Sequence, residues 1–232
     1  MSEYSAIFFD LDGTLRASLP EGFEAFVEYA GRVGLTLDDA QVKAVEREAH
    51  HYWASPLPDE HMARYDGREF WVNYNTHLLT AIGIHDCGDC AHRIQDFFED
   101  YDPEDVVFGD ARTVLRTLKS SGHLLALVSN RSEDLAPLAE RYGLAEFFDF
   151  TLWAGAVKSF KPDPVIFRTA LQMAGAPDPA RVLYVGDNYF ADVVGARTVG
   201  MDAVLIDPRN VFEGMYDKRV RRLRDVLNHI RH

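Results

Sequence analysis

The stretch Ala6-Ile-Phe-Phe-Asp-Leu-Asp-Gly-Thr-Leu15 decides the fold of this chain. Its first four residues form an apolar run of the length of a buried strand, and acidic residues follow that run directly. Because side chains alternate along an extended chain, Asp10 and Asp12 point to the same side, and Gly13 then permits a sharp turn. The stretch predicts a buried strand that ends in a pair of carboxylates.

Three later apolar runs, at residues 124–128, 182–185 and 203–206, alternate with segments of helical spacing. The apolar positions of those segments are Ala111, Val114, Leu115 and Leu118; Val165, Ile166, Ala170 and Met173; and Val220, Leu223, Leu227 and Ile230. The last group predicts a C-terminal helix that docks on the core, with basic residues on its wet side. Strands that alternate with helices predict an α/β fold, a parallel sheet with helices on both faces.

The interval between the first two runs is too long for one crossover helix. Four apolar patterns with helical spacing occupy it: Phe23, Phe26, Val27, Ala30 and Val33; Val42, Val45, Ala49 and Tyr52; Phe70, Trp71, Tyr74 and Leu78; Ile94, Phe97, Phe98 and Tyr101. Turn-forming residues at 16–20 and 102–110 predict hinges on either side. We therefore expect a core domain of residues 1–16 and 106–232 and an inserted bundle of about four helices at 17–105.

Composition and charge restrict the function classes. The 232 residues include 24 Lys and Arg against 37 Asp and Glu, a net charge of −13. Such a surface repels phosphate backbones, so nucleic acid and anionic membranes are poor partners. Hydrophobic residues make up 47% and charged residues 26%, as is usual for a folded globular protein.

Targeting signals and disulfides are not expected. The N-terminus lacks a basic region, and Asp10 interrupts the apolar run that follows, so we predict neither a signal peptide nor a membrane span. The two cysteines, Cys87 and Cys90, are too few for a disulfide framework. These features favour the cytoplasm.

Polar residues also follow the second and third apolar runs, at Ser129 and Asp187. Since the carboxyl ends of parallel strands face one crevice, these side chains converge with Asp10 and Asp12. Phosphoryl transfer can use such a pair of carboxylates, one as the nucleophile and the other as the group that exchanges a proton with the leaving oxygen. The pattern indicates an active site.

Several acidic side chains that face an anionic substrate require cations. Mg²⁺ takes carboxylates, carbonyls and water as ligands, and Asp187 and Asp192 are candidates to complete its shell. Lys161 supplies a positive charge for phosphoryl oxygens, and Ser129 with the backbone amides after it can donate hydrogen bonds to them.

Four ordered motifs carry a resemblance to a known family. Asp10-Leu-Asp-Gly-Thr-Leu15, Ser129-Asn130, Lys161-Pro-Asp-Pro164 and Gly186-Asp-Asn-Tyr-Phe-Ala-Asp192 resemble those of the haloacid dehalogenase-like hydrolase superfamily. The resemblance implies a Rossmann-like core with a helical cap inserted after the first motif. It also implies Mg²⁺ as the cofactor and a small phosphorylated metabolite as the substrate.

The resemblance assigns a role to each motif residue. Asp10 matches the nucleophile that becomes an aspartyl phosphate, and Asp12 matches the general acid and base whose backbone carbonyl binds Mg²⁺. Asp187 matches the acidic metal ligand. Substrate phosphate binding is assigned to Ser129, Asn130 and Lys161, and a supporting position near the metal to Asp192.

Other activities in the superfamily are distinguished by single residues. Haloacid dehalogenases lack an acid at the position of Asp12, so its presence favours transfer from a phosphorus–oxygen bond. A phosphonatase needs a cap lysine, and the predicted cap offers only Lys43, on an exposed helix face. A phosphatase is the expected activity. A phosphomutase of the β-phosphoglucomutase kind and a non-catalytic binding protein stay open as alternatives.

Two groups of residues outside the motifs have competing interpretations. His85-Asp-Cys87-Gly-Asp-Cys90-Ala-His92 has the residue types of a zinc site, but the ligands are too close in sequence, so a loop that enters a helix is expected. Helical spacing favours Trp71 and Tyr74 as core of the inserted bundle. Arg131 is expected to be an exposed arginine at a helix start.

Overall fold

The first strand along the chain is the first predicted strand. A computed structural model describes residues 4–230, and its strands are β1 (Ala6–Phe9), β2 (Arg16–Leu19), β3 (Glu104–Val107), β4 (Leu124–Ser129), β5 (Phe150–Trp153), β6 (Val182–Gly186), β7 (Asp202–Ile206) and β8 (Arg219–Val220). Met1–Glu3, on which part of the targeting expectation rests, lies outside the described residues. Six strands form one parallel sheet in the order β5-β4-β1-β6-β7-β8.

The chain divides into two compact units. The sheet unit comprises Met1–Ala17 and Val106–His232, and the helical unit comprises Ser18–Asp105. The helices of the sheet unit are α6 (Ala111–Ser120), α7 (Ala136–Arg141), α8 (Ala154–Val157), α9 (Pro164–Met173) and α10 (Gly195–Thr198), and those of the helical unit are α1 (Gly22–Arg32), α2 (Asp39–Trp53), α3 (Leu57–Met62), α4 (Gly67–Ala81) and α5 (Cys90–Phe98). No described helix has the length and apolar character that a membrane crossing needs.

The register of the central strands positions the site. Phe9 of β1 lies opposite Leu127 of β4 and Val185 of β6, and β1 is buried along its whole length. Strands covered on both faces are apolar throughout, which is why these runs could be identified in the sequence. The residues that follow β1, β4 and β6 therefore lie at the same end of the sheet, where the carboxyl ends of its strands meet.

Apolar clusters on the two faces of the sheet confirm the predicted α/β fold. The buried face of α9 was predicted in part, since Ile166 and Ala170 are buried as expected. Val165 and Met173 are 46% and 47% exposed, whereas Phe167 and Leu171 are buried instead. Val165 and Met173 lie on a neighbouring, exposed stripe of the same helix. They were included because α9 is apolar over more than one face.

The C-terminal segment is not the predicted amphipathic α-helix. Val220 belongs to β8, the last strand of the sheet, and Leu223–His229 forms a 3₁₀ helix. Leu223, Val226 and Ile230 are buried against the sheet, so the segment still packs on the core. The apolar spacing therefore predicted that this segment packs on the core, but it did not predict that Val220 belongs to a strand.

The helical unit has its own core, formed by α1, α2, α4 and α5. These four helices match the four predicted patterns, and the short α3 adds a fifth. Trp71 is 44% exposed, so its predicted core position is wrong, and Tyr74 is half-buried. Phe70 and Leu78 of the same pattern are buried as predicted.

The predicted hinges contain a pair of short strands. β2 and β3 form a two-stranded sheet where the chain passes between the units. Next to them, the hydroxyl of Ser18 donates to Oδ1 of Asp105 at 2.9 Å, so the two ends of the helical unit lie side by side.

Candidate active site

Three acidic side chains come together beyond the sheet edge. One carboxylate oxygen from each of Asp10, Asp187 and Asp192 lies within 4.8 Å of the others, and we call this group the carboxylate cluster. Within residues 4–230 it is the one group of three or more His, Cys, Asp or Glu side chains that converges in this way. Oxygen ligands that converge at this spacing fit a hard divalent cation.

Two glycines allow the carboxylates to approach the backbone. A methyl group at Gly13, where φ is +77°, would lie 2.1 Å from Oδ2 of Asp187. A methyl group at Gly186 would lie 2.2 Å from Oδ2 of Asp192. Thr14, next to Gly13, donates its hydroxyl to Oδ1 of Asp187 at 3.2 Å. The glycines of the first and fourth motifs are therefore needed for the cluster to form.

Lys161 is buried against the cluster and uses all three protons of its ammonium group. Its Nζ lies 2.7 Å from Oδ1 of Asp10, 2.6 Å from Oδ1 of Asp192 and 2.9 Å from the hydroxyl of Tyr184. The Tyr184 hydroxyl donates in turn to the carbonyl of Val128 at 2.7 Å. Tyr184 was not predicted, because a tyrosine within the apolar run of β6 is typical of an ordinary strand residue.

The electrostatics of the site follow from burial. Burial raises the pKa of Asp10 to about 7, Asp192 and Asp12 add to the rise, and Lys161 opposes it. Although burial works against its charge, the carboxylates of Asp10 and Asp192 raise the pKa of Lys161 well above its ordinary value. The lysine is therefore a permanent cation, and Asp10 is the carboxylate whose charge depends on its surroundings.

Asn130 lies beside Lys161 and binds its backbone. The side-chain amide of Asn130 donates to the carbonyl of Lys161 at 3.0 Å, and its Oδ1 accepts from the Lys161 amide at 2.6 Å. Ser129, the last residue of β4, is buried at the same strand end. The arrangement makes Asn130 an anchor for the backbone that carries the lysine.

Asp192 lies in a π-helical turn, Tyr189–Val194. The side chain of Asn188 accepts from the amides of Phe190 and Ala191, each at 3.0 Å, and so caps this turn. Oδ2 of Asp192 accepts from the Asn188 amide at 3.0 Å, while Oδ1 contacts Lys161. Both oxygens of Asp192 are thus held by the protein. π-helical turns of this kind occur often at functional sites.

Asp12 contacts two arginines rather than Lys161. Arg131 donates from Nε to Oδ2 at 2.7 Å and from Nη2 to Oδ1 at 2.8 Å, and Arg16 donates from Nε to Oδ1 at 2.9 Å. The expectation of an exposed Arg131 at a helix start is wrong, because the residue is half-buried and α7 begins at Ala136. Its place two residues after a strand-end serine was the signal that could have identified it.

The cysteine-containing segment leads into α5. Cys90 is buried at the start of α5 and its thiol donates to the carbonyl of Cys87 at 2.7 Å. Burial and the neighbouring Cys90 raise the pKa of Cys87 to about 11, so its thiol stays protonated. These contacts agree with the predicted loop at a helix start.

Arg68 and Tyr52 of the helical unit each contact another polar side chain of that unit. Arg68 forms ion pairs with Asp96, at 2.6 Å, and with Glu99, while Arg64 is exposed. The hydroxyl of Tyr52 lies 2.9 Å from Nδ1 of His61. Surface ion pairs of this kind contribute little stability, so Arg68 is explained without a ligand.

Comparison with known proteins identifies the family of this chain. A family model for haloacid dehalogenase-like hydrolases matches residues 4–200. The chain belongs to the haloacid dehalogenase-like hydrolase family. Mouse haloacid dehalogenase-like hydrolase domain-containing protein 3 is 31% identical over 198 residues, which cover 84% of this chain and 78% of that protein.

Two further relatives extend over almost the whole chain. Phosphoserine phosphatase of Thermus thermophilus is 31% identical over an alignment of 251 positions, which covers 95% of this chain and 97% of that enzyme. The crystal structure of a predicted phosphoglycolate phosphatase from Haemophilus somnus shares the fold, with a TM-score of 0.61, 20% identity and 99% coverage of both chains. This family member is a hydrolase, and its relatives include a phosphatase.

Proposed function

We propose that the protein is a Mg²⁺-dependent phosphatase that hydrolyses a small phosphorylated metabolite through an aspartyl phosphate on Asp10. The observation that carries this proposal is the buried contact between Asp10 and Lys161, 2.7 Å apart, beside Asp187 and Asp192. The contact fixes a carboxylate nucleophile next to a cation that can bind the phosphoryl group. Family membership supports the reaction class, and the Thermus relative supports a phosphorylated metabolite.

The charge of the site supports a divalent cation. When all of them are ionised, three carboxylates against one ammonium group leave an excess of two negative charges. We assign Asp10, Asp187 and the backbone carbonyl of Asp12 as the Mg²⁺ ligands, with Asp192 in support. The cation, when bound, favours the ionised form of Asp10 and neutralises charge on the phosphoryl oxygens.

The protein's own residues carry the two steps. Asp10 forms a bond to phosphorus as the bond to the leaving oxygen breaks, and Asp12 gives that oxygen a proton. Water then attacks phosphorus, the bond to Asp10 breaks, and the Asp12 carboxylate takes the proton that water loses. Asp10 ends ionised and Asp12 protonated, as both began.

Phosphate binding is assigned to the residues around the Lys161 ammonium group. Ser129 and the backbone amides that follow it supply hydrogen-bond donors, and Lys161 supplies charge. The side chain of Asn130 contacts the Lys161 backbone, which supports a role in holding that lysine toward the phosphate.

We further propose that the helical unit acts as the cap of this enzyme and contributes to substrate choice. Its position in the chain, directly after the first motif, supports this role. The proposed domains are residues 1–16 with 106–232 and residues 17–105, one residue from the division into compact units. We assign the enzyme to the cytoplasm, with a small phosphorylated metabolite as its partner.

The test is the release of free phosphate from 4-nitrophenyl phosphate. Wild type is expected to be active with Mg²⁺ and inactive with EDTA, and Asp10→Asn to lose at least about 10³-fold with Mg²⁺ present. Asp102→Asn, a change at an exposed aspartate, is the matched control and should match wild type. Equal rates for wild type and Asp10→Asn, or a rate unaffected by EDTA, would overturn the proposal.

Free phosphate is measured because it separates hydrolysis from phosphoryl transfer. A phosphomutase would move the phosphoryl group to a second sugar phosphate and release little phosphate. If the phosphoryl group appeared only on an added sugar acceptor, the mutase assignment would replace the phosphatase assignment.

A further inference from the structure

The Asp12 carboxylate is held by two arginines of the sheet unit. Arg131 approaches it side-on, with Nε on one oxygen and Nη2 on the other, at 2.7 and 2.8 Å. Arg16 adds a third hydrogen bond, to Oδ1 at 2.9 Å. A two-point guanidinium contact fixes the plane of a carboxylate as well as its position.

Arg16 is held in place by further contacts, and the backbone of Arg131 is fixed. Arg16 is buried, its backbone carbonyl accepts from the amide of Gly13 at 2.7 Å, and its guanidinium lies 5.6 Å from the ring centre of Tyr142. The backbone carbonyl of Arg131 accepts from the amide of Gly155 at 3.1 Å. Arg16 and the backbone of Arg131 therefore provide fixed points for the contacts with the carboxylate.

The contacts distinguish the two oxygens of Asp12. A carboxylate oxygen has two lone pairs that can accept hydrogen bonds. Oδ1 accepts from both Arg16 and Arg131, while Oδ2 accepts from Arg131 only, as far as the described residues extend. One lone pair of Oδ2 is thus left for a further partner.

We propose that Arg131 is a positioning residue for Asp12, and that the lone pair of Oδ2 carries the proton that passes to the leaving-group oxygen. This inference rests on the proposed phosphatase function and adds a residue to it. In the first step the bond between phosphorus and the leaving oxygen breaks, and that oxygen takes the proton from Oδ2. In the second step Oδ2 takes the proton of the attacking water.

Leaving groups that differ in basicity test the role of Arg131. Benzyl phosphate releases an alkoxide, which needs a proton as it departs, whereas 4-nitrophenyl phosphate releases a stabilised anion that needs little help. For Arg131→Ala we expect kcat/KM to fall about 100-fold on benzyl phosphate and less than about 5-fold on 4-nitrophenyl phosphate. Arg131→Lys should show the same selectivity, because an ammonium group cannot make the side-on contact.

Matched variants separate positioning from other roles. Arg168→Ala removes an exposed arginine of α9 and should leave both values unchanged. Asp12→Asn should show the same selective loss as Arg131→Ala, and the double variant should lose little more than Asp12→Asn, since the two residues act together. Thermal unfolding of each variant checks that it is folded, and Arg131→Lys keeps the test valid if Arg131→Ala is not.

The outcomes that overturn the inference are distinct. An equal fall on both substrates would indicate a structural or substrate-binding role, and no fall would indicate no role. A wild-type enzyme that cleaves neither substrate, or does so without Asp10, would defeat the proposed phosphatase itself. Activity that needs Asp10 but shows no selectivity in Arg131→Ala would leave the phosphatase standing and reject this inference alone.

Discussion

The Nζ atom of Lys161 lies 2.7 Å from Oδ1 of Asp10, and their side chains are 2% and 9% exposed. Ions removed from water at this depth are stable only when their charges and hydrogen bonds are satisfied. Asp192 and Tyr184 complete the contacts of the ammonium group. The lysine therefore stabilises the fold of the site as well as supplying charge for the proposed substrate.

Lys161→Met is expected to destabilise the Mg²⁺-free protein by about 3–5 kcal/mol, because it leaves buried carboxylates without their cation. Urea unfolding in EDTA at pH 8 measures this change. Mg²⁺ should restore part of the loss, since a divalent ion can balance the same carboxylates. Lys158→Met, at an exposed lysine, is the control. Equal unfolding midpoints for the two variants would contradict the expectation.

Gly13→Ala tests the close approach of Asp187. The new methyl group would overlap the Asp187 carboxylate, so we expect Mg²⁺ affinity to fall at least about 10-fold, since the ligand must move. Gly122→Ala is the matched control, because Gly122 also has a positive φ, +85°, but nothing lies within 4 Å of the added atom. Both changes should cost about 1–2 kcal/mol of backbone strain. Titration with Mg²⁺ under urea distinguishes them, and an unchanged affinity in Gly13→Ala would refute the steric argument.

His123 predicts a pH dependence of stability. Burial lowers the pKa of His123 below its ordinary value of 6.5 in the folded protein, so the unfolded chain binds this proton more readily. The stability that depends on neutral His123 is therefore present above pH 6.5 and is lost as the pH falls below it.

The urea midpoint at pH 8 and pH 5 tests this dependence. Wild type should lose more stability than His123→Gln between the two values, because glutamine does not titrate. His85→Gln, at an exposed histidine, should behave as wild type. If the urea midpoints of wild type and His123→Gln fell by the same amount, protonation of His123 would have no effect on stability.

The sequence predicted the centre of the sheet more accurately than its edges. β1 has the predicted bounds, and β4 and β6 each extend by one residue, because strands buried on both faces are continuous apolar runs. β5 and β8 at the two edges were not predicted. They are short, and β8 follows a polar segment, so neither stands out against its surroundings.

Site residues that directly follow strands could be predicted from the sequence. Contacts between side chains that are distant in the chain could not. Asp10 and Asp187 follow strand ends, and the structure brings their carboxylates together. The contact of Arg131 with Asp12 spans 119 positions of the chain and depends on the direction of one side chain. Spacing along the chain contains no information on that direction, and an arginine in a loop is usually exposed.

The adjacent ends of the helical unit bear on how this enzyme can diverge. Ser18 and Asp105 are joined by a hydrogen bond, so the chain leaves and re-enters the neighbourhood of β2 and β3 at almost one point. Closing a loop of twice the length costs only about 0.6 kcal/mol more. The inserted segment can therefore be lengthened, shortened or replaced while the strands that hold Asp10 and Asp187 keep their register.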